Sequence, residues 1–117
     1  MKTVKTKKEL IDAIKSGEKE VYVDSKRLFV ACMMAEKYRG SSSELTSKSP
    51  KVLGYEMGLV VEMTEAVAIA LIISALLIAL AIIVVLGDLE LDIETERDEK
   101  TGKLKGRVKM RKRKRNF

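Results

Sequence analysis

Two groups of side chains in this sequence have types and spacing that could do chemistry. The first is three carboxylates, Glu56, Glu62 and Glu65, at intervals of six and three residues, near one face of a helix that runs into an apolar block. Ionisable residues at a membrane border mark ion paths, or a ring in an oligomer that conducts ions; a plain solvated interfacial face is the other reading. The second is a run of five cations, Arg111, Lys112, Arg113, Lys114 and Arg115. Such a run reads as a contact with anionic lipid, worth about 1 kcal/mol per side chain near the surface, as a solubilising tail with no specific partner, or as a phosphate-seeking contact with nucleic acid. No aromatics are interleaved to stack on bases, so nucleic acid is disfavoured as a partner.

Classical catalytic signals are missing. The chain has no histidine and no tryptophan, and its one cysteine, Cys32, sits among Val30, Ala31, Met33 and Met34. That setting reads as a buried thiol rather than a nucleophile. A single cysteine also excludes an internal disulfide framework. There is no phosphate-cradling glycine loop, no spacing of metal ligands and no nucleophile paired with a base. The expectation is a protein that is not an enzyme, with no catalytic residues, no metal and no cofactor.

The element that must position both charge groups is residues 66–86, AVAIALIISALLIALAIIVVL. It carries no charge, proline or glycine, and fourteen of its 21 residues are Leu, Ile or Val. As a helix it would be about 31 Å long, close to the hydrocarbon thickness of a bilayer. Each of those fourteen side chains contributes roughly −0.3 to −0.6 kcal/mol to insertion. The central helix of a soluble domain would look similar, but it needs apolar partners on every side, and the rest of this chain is poor in them. The expectation is one transmembrane helix. Ala66, Ala70 and Ser74 fall four residues apart along it, and Ala75 and Ala79 repeat the spacing. Small residues at that interval let helices approach closely in lipid, which points to a homo-oligomer.

Around this helix the chain reads as α+β. Residues 1–40 give strand, helix, strand, helix, a βαβα fragment whose two strands would be parallel. Thr6 with Glu9 fits a capping box and Gly17 a helix stop; Ser25 caps the second helix. Residues 41–49 (SSSELTSKS) read as a linker, and Ser49-Pro50 as a helix opening. Over 50–87 the expectation is one long helix with the span at 66–86; a helical hairpin turning near Thr64 and Glu65 is the competing reading. Residues 88–117 read as an antiparallel β-hairpin followed by the basic tail. Leu91 would face Met110 and Ile93 Val108, setting Glu90, Asp92 and Glu94 against Arg111, Lys109 and Arg107, an acidic strand beside a basic one.

A hairpin returns the tail to the end of the span, where cations bias that side toward the cytoplasm. The count is not clean, with 12 Lys and Arg before the span and 11 after it. Neither pair of strands is a stable sheet alone; the two would complete one four-stranded sheet if both faced the same side, which a single span forbids and the helical hairpin allows. The functional expectation is a small, self-associating interaction or effector protein integral to a cell or inner membrane. Its C-terminus would be cytoplasmic, its partners the lipid bilayer, other copies of itself and an unidentified protein. The alternatives are a pore or channel subunit and a nucleic-acid-binding module using the tail.

Overall fold

The computed structural model describes residues 1–97 and 104–112. The elements are β1 (Lys2–Val4), α1 (Lys7–Lys15), β2 (Glu20–Val23), α2 (Lys26–Lys37), α3 (Ser42–Ser47), α4 (Pro50–Glu56), α5 (Leu59–Glu62), α6 (Glu65–Leu86), β3 (Leu89–Arg97) and β4 (Leu104–Lys112). The fold is mixed α+β.

The amino-terminal signals act as the sequence implies. The Glu9 amide donates to Thr6 Oγ1 at 3.2 Å while the Glu9 carboxylate accepts from the Lys5 amide, so the first turn of α1 is capped from both directions. Ser25 accepts from the Leu28 amide at 3.3 Å and starts α2. β1 and β2 are parallel, with Lys2 beside Val21 and Val4 beside Val23.

Two expectations change in the middle of the chain. Residues 41–49, read as a linker from their serines, contain α3, and Leu45 is fully buried. The single helix expected over 50–87 does not form. Ser49 and Pro50 do open a helix, but α4 stops at Glu56 and Gly58 takes a φ of +72°. That left-handed backbone ends a helix rather than continuing it. Thr64 is extended and accepts from the Val67 amide at 3.3 Å, a fresh cap for α6. The competing hairpin reading describes the result, because α4 folds back along α6. A Cβ on Gly54 would lie 3.6 Å from Ala68 Cβ, ordinary contact distance.

The two halves of the chain meet in one four-stranded sheet, ordered β1-β2-β4-β3. β3 and β4 pair in the expected register: Leu91 beside Met110, Ile93 beside Val108, Glu90 beside Arg111, Asp92 beside Lys109 and Glu94 beside Arg107. The ion pairs follow the acid-base ladder but partly slip to diagonal neighbours. Arg107 reaches Glu94 at 2.7 Å, Lys109 reaches the same Glu94 at 3.8 Å, and Arg111 reaches Asp92 at 3.9 Å. The other edge of β4 holds β2, with Val21 beside Val108 and Val23 beside Gly106. β4 therefore supplies the stability that each strand pair lacks alone.

One face of the sheet is polar and the other meets the helices. α2 lies between the sheet and α6, touching β3 and β4 on one side and α6 on the other. Its Leu28, Phe29, Val30, Ala31, Cys32, Met34 and Ala35 are all buried. Behind it α6 buries Ala68, Ile72, Ala75, Ile78, Ala79, Ile82 and Leu86. Each large side chain so buried is worth about 1.5–3 kcal/mol over exposure.

At Gly106 the neighbouring strand leaves no room for a side chain. A Cβ there would sit 1.9 Å from the carbonyl oxygen of Glu94, a backbone atom that cannot swing aside. Gly106→Ala is expected to cost about 3 kcal/mol or more, as overpacking against fixed backbone. Gly54→Ala is expected to leave stability unchanged or raise it by up to about 1 kcal/mol through helix propensity. Urea denaturation of the two variants checks the pair.

Candidate functional site

The feature that stands apart is the side of α6 turned away from α2. Val67, Ile73, Leu77 and Val84 are 53, 58, 74 and 80% exposed, with Ala66, Ala70 and Ser74 exposed among them. Up to Leu77 these positions follow at helical spacing, with Val84 two turns further on, and so form one strip down the helix, about 27 Å from Ala66 to Val84. Only 33% of the apolar stretch of α6 is buried. Ser74, the strip's single polar side chain, donates its hydroxyl to the Leu71 carbonyl at 2.8 Å. Its hydrogen-bonding need is met within the helix. By length and composition α6 could cross a membrane.

The small residues picked out by spacing divide between two surfaces. Ala66, Ala70 and Ser74 lie on the exposed strip, whereas Ala75 and Ala79 are fully buried. The inner pair is part of the surface that packs on the body of the protein, where small side chains let neighbouring elements approach.

The three glutamates do not share a helix face. Glu56 ends α4, Glu62 ends α5 and Glu65 begins α6, because the chain breaks at Gly58 and again at Thr64. Glu65 accepts from the Tyr55 hydroxyl at 2.7 Å and lies 3.5 Å from the Lys51 ammonium. Tyr55 first, and then Lys51, hold its carboxyl below the usual carboxylate range. Glu62 is exposed. At the far end of α6, Gly87 stops the helix, and β4 returns to place Lys112 opposite Leu89 and Arg111 opposite Glu90. Both cations are exposed. Arg113, Lys114 and Arg115 lie outside the described residues.

A cluster that spacing did not flag joins three segments. Lys48 Nζ donates to Glu56 Oε1 at 2.6 Å and to the Tyr38 hydroxyl at 2.8 Å, and lies 5.1 Å from the centre of the Tyr38 ring. Tyr38 in turn donates its hydroxyl to the other oxygen of Glu56. Tyr38 follows α2 and Lys48 follows α3, and only the packing of α4 brings Glu56 to them. No local pattern announces such a contact. Cys32 is buried, and burial pushes its thiol up to about 12, so it stays protonated at neutral pH. Among the described residues no group of three His, Cys, Asp or Glu could hold a metal ion.

The cluster makes stability depend on pH in a calculable direction. Hydrogen bonding to Lys48, then to Tyr38, lowers the Glu56 carboxyl, and hydrogen bonding to Glu56, then to Tyr38, raises the Lys48 ammonium. The lowered carboxyl stabilises the fold above its unfolded value of about 4.3 and loses that as pH falls through its folded value. The raised ammonium stabilises below about 10.4 and loses that as pH rises from there through its folded value. Denaturation midpoints measured across pH should be level between those limits and fall outside them, with Glu56→Gln flattening both falling limbs. Set against known proteins, the chain matches no family model, no curated protein and no solved structure.

Proposed function

We propose that this is a non-catalytic, membrane-anchored interaction or effector protein whose α6 lies with its outer strip in the hydrocarbon of one leaflet. The observation that carries this is the exposed strip itself, apolar over about 27 Å with its one hydroxyl satisfied internally. Water has nothing to solvate there. Val67, Ile73, Leu77 and Val84 would each gain about 1–2 kcal/mol on leaving it. The lipid-facing character belongs to the fold rather than to the helix, since α6 is apolar all round and the protein covers only its inner side.

The sheet bears on the orientation. β2 precedes α6 and β4 follows it, yet the two strands pair. With that pairing intact both ends of α6 stay on one side of the bilayer, which favours a helix laid along the surface over one that crosses it. Arg111 and Lys112, near the end of α6, would each add about 1 kcal/mol from anionic headgroups. That attraction favours the cytoplasmic face, whose leaflet carries the anionic lipid.

Self-association through Ala66, Ala70 and Ser74 is the second reading, favoured by their lying on the same exposed strip. A strip about 27 Å by 10 Å is small beside the roughly 800 Å² per partner of a stable interface, so this reading belongs within the leaflet rather than in water.

Flotation of the full chain with vesicles is the test. Binding to vesicles rich in anionic lipid is expected, weaker binding to neutral ones, and at least a tenfold loss of partition for Leu77→Asp. Leu77 is 74% exposed, so that change should leave the fold intact. A chain that stays monomeric in plain buffer and ignores both kinds of vesicle would overturn the proposal.

A further inference from the structure

β3 is the last strand on its side of the sheet, and its outer edge is only partly closed. Hydrogen-bonding parity fixes which of its residues face outward. The even residues of β4 serve β2, as the Met110 amide donating to the Lys19 carbonyl shows, so the odd residues of β4 serve the even residues of β3. The odd residues of β3 thus turn their backbone groups away from the sheet. At the beginning of the strand these groups are taken. Arg39 donates a guanidinium N–H to the Leu89 carbonyl, and the Leu91 amide donates to Glu36 Oε2 at 3.0 Å. Two residues further on the capping stops. Among the described residues nothing pairs with the outward N–H and C=O of Ile93 and Thr95.

Beside those two residues the protein leaves a cleft of about 340 Å³, lined by Met33, Glu36 and Lys37 of α2, Glu56, Met57, Ile93 and Thr95. Its lining by α2 and by the side chains of Ile93 and Thr95 puts it on the helix-facing side of β3, bordering the open edge. We infer that the Ile93–Thr95 edge of β3 and this cleft form a strand-addition site for an extended partner peptide in which cationic and apolar residues alternate. The backbone of the peptide would pair with Ile93 and Thr95, and an apolar side chain on its inner face would enter the cleft between Met33 and Met57.

Charge selects the occupant. The solvent face of β3 presents Asp92, Glu94 and Glu96 beside this edge; Arg39 pairs with Glu90 at 3.7 Å, and from the β4 side Arg111, Arg107 and Lys109 reach Asp92 and Glu94, while the Tyr22 hydroxyl donates to Glu96 at 2.9 Å. A second strand on the open edge meets the same row of carboxylates from the opposite side. A basic strand is attracted there. A second copy of β3 would set carboxylate against carboxylate across the junction, which is destabilising. The site is thereby closed to self-pairing and open to a strand patterned like β4. This inference stands on the sheet edge alone and does not depend on how α6 meets lipid.

The test is fluorescence anisotropy of labelled peptides against the full chain in neutral detergent micelles. The probe is an eight-residue peptide of alternating lysine and valine, capped at both ends. It is expected to bind, with an alternating glutamate and valine peptide at least tenfold weaker. Thr95→Pro removes an outward amide at an edge position, where proline is tolerated, and should weaken the lysine peptide at least tenfold with the circular dichroism spectrum unchanged. Methylating alternate amides of the peptide should do the same against the unaltered chain, which keeps the test decisive if the proline variant fails to fold. No binding at millimolar peptide, or equal binding of the methylated peptide, would overturn the inference. So would a dimer of the unaltered chain that Thr95→Pro abolishes, because the edge would then belong to a second copy.

Discussion

A helix that is apolar around its whole circumference must be covered around its whole circumference, and this protein covers α6 on one side only. The inner side meets α1, α2, α4 and α5 and buries seven residues. The outer side leaves four large aliphatic side chains more than half exposed. Much of the architecture answers this demand. α2 is itself buried because it serves as floor for the sheet and roof for α6. α4 turns back at Gly58 and lies along α6, covering a surface that a straight continuation would have left bare. At about 33 Å, α6 is comparable in length with the longest extent of the molecule, 41 Å.

The second constraint is that α6 sits in the middle of the sequence while its flanks share a sheet. β4 makes this work, holding β2 on one edge and β3 on the other. Gly106 permits that close approach, and the acidic and basic rows of β3 and β4 keep the pairing in register. At the open edge of β3 the outward backbone groups of Ile93 and Thr95 have no partner among the described residues. The proposed lipid contact and the proposed strand-addition site thus lie on different surfaces and arise from different unmet needs, one for apolar cover and one for backbone partners.

Much of the local structure is legible in the sequence because it depends on local chemistry. Thr6 with Glu9, Ser25, and Ser49 with Pro50 mark helix starts through bonds made within four residues. The β3 and β4 register is written twice, in apolar alternation and in charge. The break at Gly58 is harder to read, since Leu59, Val60 and Val61 on its far side resemble a continuing helix and the pull of α6 on α4 is tertiary. Leu45 hides in a run of serines. The union of the two strand pairs cannot be read from either pair, because it depends on which side of α6 each occupies. Within the candidate sites, spacing identifies Ala66, Ala70 and Ser74 as one stripe and sets Ala75 and Ala79 on the opposite side of the helix, but it cannot show which stripe the protein covers. The Tyr38, Lys48 and Glu56 cluster, and the capping of β3 by Glu36 and Arg39, come from distant segments and leave no mark in the sequence.

The central claim is that lipid covers the outer strip and protein covers the inner one. It is tested most directly by nitroxide labels placed singly along α6 in vesicles, on a Cys32→Ala background, reading collision with dissolved oxygen against collision with a water-soluble nickel complex. The account predicts strong oxygen collision and weak nickel collision at Ile73→Cys, Leu77→Cys and Val84→Cys, and weak collision with both reagents at Ala75→Cys and Ala79→Cys. Oxygen collision that is equally strong at all five positions, or nickel collision that dominates at the first three, would contradict it.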